Sequence, residues 1–574
     1  MPADGLLGLD VRPRCAALAK QCRMLSERIG TDLFTRPAQS VAEVLTEIAG
    51  LRTQVLHWDG HYAVQLASGH PEPEDQDLRL LVMSAAEAVD DLLLAIRQQW
   101  LAVPADKADL LLAEPSLTAF RNYLESGRPL IPYILSDQAE AALAAREYSA
   151  STAWLELYYR TSAALRPVVD GAAVSLAQAR SSLENEKAGL RERSLAAIYD
   201  ALEPMAPLFG QCLDSLVTDH LAVNALRGLP HARSDRDLTN ELPSAAVDNM
   251  LDAVEANYGL AQRWFSRKAR LLGADRLHIA HVRAPLGAGS QILYQDAIHL
   301  VAEAFGGFAD EAGDLVYTMV EAGLVDAEPR EGKQPGAFCR SLGPGQPPRI
   351  HMSYFGTVND VVALAHEFGH ALQFTLAGRR CDGLTYDAPE CLAEIAPAFA
   401  ELLVYDWLIA HEPDPRVRES IAAKRVETSI DAIFFSAFLT RFEARAHYTR
   451  AGGGVLTHIR IGELWAECGR QFYGPDVDLP ERWGQLHWML VAHIMHERFY
   501  AYAYAFARLV GLHLYAAYLQ DPAGFRPRFL EALSLGNTVT PAGQLAALGI
   551  DLNDPATWRN GLDQFAGLLE PLGA

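Results

Sequence analysis

The residues best suited to chemistry are two histidines and a glutamate in the stretch His366-Glu367-Phe368-Gly369-His370. This stretch lies in an apolar run, residues 361–376, that should be helical. Positions i and i+4 of a helix share one face, so the imidazoles of His366 and His370 can bind one metal ion. Glu367 can reach a water molecule on that ion. The pattern is typical of zinc hydrolases, most often peptidases.

A capping pattern predicts where this helix begins. Thr357 is followed three residues later by Asp360. In a Thr-x-x-Asp sequence, each side chain can accept a hydrogen bond from the backbone N–H of the other residue. We therefore expect the helix to start directly after Thr357 and to present both histidines within its first four turns.

The third metal ligand has two candidates. A catalytic zinc ion takes three protein ligands and keeps one position open. The metzincin pattern is excluded, because the chain has Gln373 and Leu376 where that pattern needs glycine and histidine. A downstream glutamate is the other common solution. Glu390 and Glu394 are four residues apart and would share one face of a continuous helix, so spacing alone leaves both open.

Further segments occur in a fixed order around this stretch: Lys268–Gly273, Ala284-Pro285-Leu286, Leu324–Lys333, Gly336–Cys339, Phe355–Val361, Leu392-Ala393-Glu394-Ile395-Ala396 and Glu401. Together with a weaker match at residues 134–158, they resemble oligoendopeptidase F, a branch of the thimet oligopeptidase family of zinc peptidases. The resemblance covers roughly Arg121 to Val510. It implies one zinc ion per chain, held by His366, His370 and Glu394. The alternative role for Glu390 is that of a solvated acid at a helix start.

A second segment, His493–Phe506, is dense in histidine and tyrosine. Peptide hydrolysis passes through an oxyanion that imidazole N–H and tyrosine hydroxyl groups can stabilise. The resemblance assigns this role to His493 and Tyr502, with Tyr500 as a neighbour that binds substrate. The alternative is an aromatic helix packed into the core, which we favour for Tyr504 and Phe506.

Three positions near these segments have open roles. His496 could donate a hydrogen bond to substrate or could be a core histidine. Arg498 could hold a substrate carboxylate, but an ordinary surface pair with Glu497 is the simpler interpretation. Pro397 follows Glu394 by three residues and should kink its helix unless it lies in the first turn.

Composition limits the classes of partner and location. The net charge of −23, from 49 basic and 72 acidic residues, argues against nucleic acid as a partner. No segment reaches roughly 18 consecutive apolar residues, so no membrane span is expected. Seven scattered cysteines without a Cys-x-x-Cys pair predict free thiols in a reducing compartment. No secretory signal is visible in residues 1–14, so a cytoplasmic location is expected.

Apolar residues recur at helical spacing along most of the chain, so the predicted fold class is mainly α. Helices are predicted at 38–67, 75–101, 137–164, 174–202, 244–272, 293–303, 358–376, 391–410, 415–446 and 500–519. A β-hairpin is predicted from residues 337–341 and 349–354 around a Gly/Pro-rich turn. The resemblance implies two helical halves that enclose a deep substrate channel, an N-terminal helical region 1–195 and a catalytic region 196–574.

The expected activity is zinc-dependent hydrolysis of peptide bonds in short, unstructured oligopeptides, with Glu367 as general base. One alternative is a specialised peptidase that trims a single leader or signal-derived peptide. Others are a peptide-binding relative without catalysis and a purely structural helical scaffold. Retention of Glu367 beside both histidines argues against binding alone, because binding needs no general base. The sequence does not predict the cleavage preference or the oligomeric state.

Overall fold

The computed structural model describes residues 11–69, 73–287, 291–334 and 336–574. Within these ranges the chain is mainly α-helical and has three small sheets, which confirms the predicted fold class. None of the helices in these ranges is long and apolar enough to cross a bilayer. The seven cysteines are free thiols. Residues 1–10, the first part of the segment in which no secretory signal is predicted, lie outside the described residues.

The chain forms two compact units, and each is assembled from three stretches of sequence. The first unit takes the described residues of Met1–Ile131, Ser290–Ala410 and Leu514–Asp551. The second takes those of Pro132–Gly289, His411–His513 and Leu552–Ala574. Compactness does not test the predicted division after residue 195, which stays a prediction.

The first unit begins with three long helices, which bury Leu18, Leu45 and Val89 in one core. Its helices are Val11–Ile29, Ala38–Ala67, Pro73–Leu101, Ala105–Leu112, Arg121–Ser126, Tyr294–Phe308, Asp310–Glu321, Val358–Gly378, Glu390–Ala393, Ile395–His411, Pro522–Ser534 and Pro541–Ala547. The last residue of Ile395–His411 and the first part of the helix Tyr502–Gln520 fall in the second unit. We call Val358–Gly378 the HExxH helix.

Asn537 makes hydrogen bonds that connect the three stretches of the first unit. The side-chain amide of Asn122 donates to Asn537 Oδ1 over 2.7 Å, and the backbone N–H of Asn537 donates to the carbonyl of Thr385 over 2.6 Å. These residues come from the first, third and second stretches respectively. The HExxH helix also packs against Pro522–Ser534 of the third stretch. Distant parts of the sequence therefore support the helix that carries both histidines.

A three-stranded sheet lies beside the HExxH helix. The predicted hairpin is confirmed in a shorter form, because Phe338–Arg340 pairs antiparallel with Arg349–His351. A third strand, Val325–Asp326, was not predicted and pairs in parallel with Arg349–His351. A strand of only two residues is too short to show the alternating pattern that identifies strands in a sequence. Within this sheet, Phe338–Arg340 is the edge strand next to the HExxH helix.

The second unit is a separate helical assembly. Its helices are Asp137–Glu147, Ala153–Ala164, Leu176–Ser181, Ala188–Leu202, Ala206–Arg227, Ser234–Thr239, Ser244–Ala256, Tyr258–Leu271, Pro415–Ile430, Ser436–Ala451, His458–Tyr473, Glu481–Leu486, His493–His496 and Pro555–Leu569. Two short ladders, Val168–Val169 with Ala172–Ala173 and Leu277–His278 with Val477–Asp478, complete its regular structure. Single π-turns, Tyr148–Thr152 and Asp431–Phe435, connect flanking helices without a break.

The single long helix predicted at 174–202 is wrong. The chain forms Leu176–Ser181 and a 3₁₀ turn, and a second helix begins only at Ala188. Asn185 causes the interruption, since its Oδ1 accepts a hydrogen bond from the backbone N–H of Lys187 over 3.0 Å. Arg191 then donates to the backbone carbonyl of Asn185 over 2.6 Å. A short asparagine side chain that binds its own backbone competes with helix formation.

The helix predicted at 244–272 is likewise divided at Asn257. This residue has φ −111° and ψ 17°, outside the helical region, and its side-chain amide donates to the Ala253 carbonyl over 2.8 Å. The side chain thus takes the carbonyl that would otherwise accept the helical backbone N–H of residue 257.

Candidate metal centre

The HExxH helix begins where the capping pattern predicts. Thr357 Oγ1 accepts from the backbone N–H of Asp360 over 3.1 Å, and Asp360 Oδ2 accepts from the backbone N–H of Thr357 over 2.9 Å. Two backbone donors at the helix start are thereby satisfied. The start sets the register of the helix, so His366 and His370 follow on one face with ring centroids 5.0 Å apart.

His366, His370 and Glu394 are brought together in the first unit. His366 Nε2 lies 3.5 Å from Glu394 Oε2, and His370 Nε2 lies 3.9 Å from Glu394 Oε1. One donor atom from each residue lies within 4.8 Å of the other two. Two imidazole nitrogens and one carboxylate oxygen at this spacing fit the donor set of a catalytic zinc ion. Glu390 is exposed at the start of a short helix and is not part of this cluster.

A helix break, rather than the continuous helix predicted at 391–410, places Glu394. The short helix Glu390–Ala393 ends at Glu394, and the helix Ile395–His411 starts directly afterwards. Pro397 therefore lies in a first helical turn, where its missing N–H costs no intrahelical hydrogen bond. The kink considered for Pro397 does not arise.

Gly369 allows the two helices to approach closely enough for Glu394 to reach the histidines. A Cβ atom at Gly369 would lie 2.6 Å from Pro397 Cα and 2.9 Å from the carbonyl oxygen of Ala396. Backbone atoms this near leave no room for a side chain. The glycine of the motif thus has a packing role that is separate from the chemistry of its neighbours.

Glu401 orients one of the candidate ligands. Its Oε1 accepts a hydrogen bond from His366 Nδ1 over 2.8 Å, and its side chain is only 8% exposed. This bond keeps the proton on Nδ1, so the lone pair of Nε2, beside Glu394, is the one that can bind a metal ion. From the sequence, Glu401 was known only as part of the resemblance, without a role. The signal was its spacing, since seven residues separate it from Glu394, about two helical turns.

Glu367 has the environment of a general base. The residue is 5% exposed, and its Oε2 has no hydrogen-bond partner among the described residues. Burial, partly opposed by the neighbouring charge of His366, raises the pKa of Glu367 to about 7. A buried carboxylate with one unpartnered oxygen and a pKa near neutral is suited to accept a proton.

In the second unit, three rings form a cluster that we call the His493 cluster, made of His493, Tyr500 and Tyr504. The ring centroids lie 6.2 Å apart for His493 and Tyr500, 6.0 Å for His493 and Tyr504, and 5.3 Å for the two tyrosines. All three side chains are half-buried. Sequence reasoning placed Tyr504 in the core, and only the fold brings it beside His493.

Tyr502 occupies a different environment. It is fully buried, its hydroxyl accepts a hydrogen bond from the Asn240 side-chain amide over 2.9 Å, and the Arg233 guanidinium lies 5.9 Å from its ring centroid. The helix that carries it starts at Tyr502 rather than at Tyr500. Phe499 explains the later start, because it has a left-handed φ of 57° and donates its N–H to the buried carboxylate of Glu443 over 2.9 Å.

The two other open positions in this segment make local contacts. His496 Nδ1 lies 3.1 Å from the carbonyl oxygen of Ala492, one turn earlier. Arg498 donates to Ser151 Oγ over 3.0 Å, and Glu497 Oε2 lies 3.5 Å from the Arg236 guanidinium. The expected surface pair between Glu497 and Arg498 is therefore wrong, because Arg498 contacts the π-turn Tyr148–Thr152 and Glu497 contacts the helix Ser234–Thr239.

Comparisons with known proteins give a consistent result. A family model described as Peptidase family M3 matches residues 310–564, and one described as Oligopeptidase F matches residues 99–166. An oligoendopeptidase F homolog of Lactococcus lactis is 23% identical over 376 residues, which is 65% of this chain and 62% of that protein. The oligopeptidase PepF of Bacillus subtilis is 22% identical over 65% of this chain and 56% of its own length. The aligned region thus spans less than two thirds of these relatives.

The fold is also matched by solved structures. That of oligoendopeptidase-F from Enterococcus faecium superposes with a TM-score of 0.71 at 19% identity, over 98% of both chains. A structure of PZ peptidase A with an inhibitor gives a TM-score of 0.77 at 15% identity, over 97% of both chains. At these identities the likeness concerns the fold.

Proposed function

Because the chain belongs to peptidase family M3, in its oligopeptidase F-like branch, we propose that it is a zinc-dependent endopeptidase of short, unstructured oligopeptides. The observation that carries this proposal is the convergence of His366, His370 and Glu394 beside the unpartnered carboxylate oxygen of Glu367. The names of the relatives support peptides as the substrate class.

In this proposal His366, His370 and Glu394 hold one zinc ion, and Glu401 fixes the orientation of His366. When bound, zinc supplies a Lewis acid that polarises the scissile carbonyl and activates water. Glu367 accepts the proton of the attacking water and passes it to the amine that leaves. The low exposure of Glu367 limits competing bulk water and keeps its carboxylate basic.

Stabilisation of the oxyanion by His493 and a tyrosine remains a proposal that rests on the resemblance. The environments of the tyrosines favour Tyr500 and Tyr504 as hydroxyl donors, because both are half-buried beside His493. Tyr502, the tyrosine that the resemblance selects, is buried and engaged with Asn240. A hydroxyl in that position supports the helix more readily than it meets a substrate.

The edge strand Phe338–Arg340 suggests how a peptide is held. An extended peptide can add to a free sheet edge through backbone hydrogen bonds, which read the main chain more than the side chains. Such binding favours broad specificity for unstructured chains. A dedicated peptidase for one leader peptide would use the same chemistry, and a library of quenched peptides of varied length and sequence separates the two cases.

The decisive experiment combines metal analysis with peptide hydrolysis for Glu367→Gln. We expect this variant to retain zinc at wild-type stoichiometry and to lose about 100- to 10,000-fold in kcat, the range that general acid–base catalysis supplies. His366→Ala should lose the metal as well. Glu311→Gln is the control, because Glu311 is half-exposed and pairs with Arg379 on the surface. Full turnover in the Glu367 variant would contradict the assignment, and peptide binding without cleavage by the zinc-loaded wild type would favour a binding protein.

A further inference from the structure

A cavity of about 580 Å³ lies within the second unit, and we call it the Arg180 cavity. Its lining residues include Arg180, Arg283, His493 and Tyr504. Its volume falls within the range of about 300–1,000 Å³ that is usual for sites of small ligands. Two members of the His493 cluster thus line the same open cavity as two exposed arginines.

Of the two guanidinium groups beside this cavity, that of Arg180 has no carboxylate partner among the described residues. Arg283 is paired with acids, since its guanidinium lies 3.0 Å from Asp431 Oδ2 and 3.8 Å from Glu184 Oε1. Arg180 donates to the carbonyl oxygen of Leu490 over 3.2 Å, and no carboxylate oxygen in the described part of the chain lies within 4.0 Å of it. A guanidinium carries five N–H donors in a fixed fork. Most of the donors of Arg180 therefore remain available to an anion.

His487, which also lines the cavity, adds no charge. Burial, with the nearby charges of Arg180 and Arg283, lowers the pKa of His487 to about 3, so this imidazole is neutral at physiological pH. The remaining walls are largely apolar and include Leu439 and Val491. One guanidinium without an acid partner beside apolar residues fits an organic group with a single negative charge. The carboxylate of Glu184, which also lines the cavity, and the net charge of −23 both disfavour a polyanion.

We propose that the Arg180 cavity binds the free C-terminal carboxylate of a peptide substrate, with Arg180 as its ion-pair partner and the apolar walls around the terminal side chain. This inference rests on the proposed peptidase function. Arginine pairs well with carboxylates, because its planar fork matches the two carboxylate oxygens.

Three peptides test the proposal, identical in the quenched fluorescent core and different only at the terminus. One ends in a free carboxylate, one in a carboxamide, and one in a carboxamide after an added glutamate. We expect wild type to prefer the free acid over the amide. Arg180→Met should lower kcat/KM for the acid by about tenfold or more and leave the amide within about twofold, since a charged hydrogen bond is lost only for the acid. The preference should also weaken as salt is added.

Two further variants test whether the effect depends on the positive charge of residue 180 and on its location in the cavity. Arg180→Lys keeps the positive charge and should restore part of the preference for the acid. Arg160→Met is the matched control, because Arg160 is 80% exposed in the same unit and its ion-pair partner among the described residues is Glu156, one turn away. We expect it to behave like wild type with all three peptides. Thermal unfolding of each variant checks that the second unit stays folded.

The outcomes are distinct. An equal loss for acid and amide in Arg180→Met would mean that Arg180 acts only through its hydrogen bond to Leu490, which overturns the proposal. Unchanged kinetics with every peptide would overturn it too. A gain from the added glutamate equal to that from the free terminus would assign the cavity to acidic side chains instead. If zinc-loaded wild type cleaves none of the peptides, the proposed peptidase function itself fails.

Discussion

Replacing Glu401 by glutamine should weaken zinc binding without removing a ligand. The carboxylate of Glu401 accepts the Nδ1 proton of His366 over 2.8 Å and is 8% exposed, so solvent can replace it only poorly. Glutamine has nearly the same shape but is neutral, and its amide group can turn to donate instead of accept. Either change weakens the preference for the tautomer with a free Nε2 atom.

The size of this effect follows from the geometry. Loss of a carboxylate that orients a metal-bound histidine typically costs about 10- to 100-fold in metal affinity. That range corresponds to about 1.4–2.7 kcal/mol, close to the value of one hydrogen bond to a charged group. The hydrogen bond is short and shielded, so we expect a loss in the upper half of this range.

The assay is a competition titration of metal-free protein against a chromophoric zinc chelator of known affinity. Glu367→Gln separates the effects, because it removes a negative charge at comparable burial but leaves the His366–Glu401 hydrogen bond in place. Glu311→Gln on the surface controls for charge alone. Wild-type zinc affinity in Glu401→Gln, with an unchanged unfolding temperature, would refute the orienting role. If Glu401→Gln loses no more zinc affinity than Glu367→Gln, the loss of one negative charge near the ion explains the effect without an orienting role.

Two further predictions concern packing and the tyrosines. Gly369→Ala should cost about 1–3 kcal/mol of stability and weaken zinc binding, because the added Cβ would clash with the backbone at Pro397. Gly378→Ala is the control and should be tolerated, because no heavy atom lies nearer than 3.4 Å to the added Cβ. Denaturant unfolding and the same titration measure both changes, and a stable Gly369 variant with normal affinity would contradict the packing argument. Tyr500→Phe or Tyr504→Phe should lower kcat with little change in KM. Tyr502→Phe should mainly lower the unfolding temperature. A fall in kcat only for Tyr502→Phe would restore the assignment made by resemblance.

The parts of the site that the sequence predicts are those encoded by local spacing. Two histidines four residues apart, a Thr-x-x-Asp cap and an apolar run determine a helix with both imidazoles on one face. The predicted hairpin is similarly local, because its strands flank a single turn. Local patterns of this kind depend on interactions within a few residues, so one chain without relatives is enough to identify them.

The parts that the sequence does not predict depend on tertiary contacts or on single side chains. The hydrogen bond from His366 to Glu401 spans 35 residues, and the position of Tyr504 beside His493 depends on the left-handed turn at Phe499. Asn185 and Asn257 each interrupt a helix whose apolar pattern continues on both sides. Periodicity measures how apolar residues repeat, and one polar side chain that binds its own backbone barely changes it.

The connection of Asn122, Thr385 and Asn537 has a consequence for biosynthesis. The structure around the HExxH helix needs residues beyond position 513, so during translation it cannot be completed until most of the polypeptide has left the ribosome. Contacts between residues so far apart in sequence also slow folding, because long loops must close first. Shorter fragments cut at residue 410 would lack Pro522–Ser534 and leave the helix with an uncovered face, so they should aggregate or be degraded before they acquire metal.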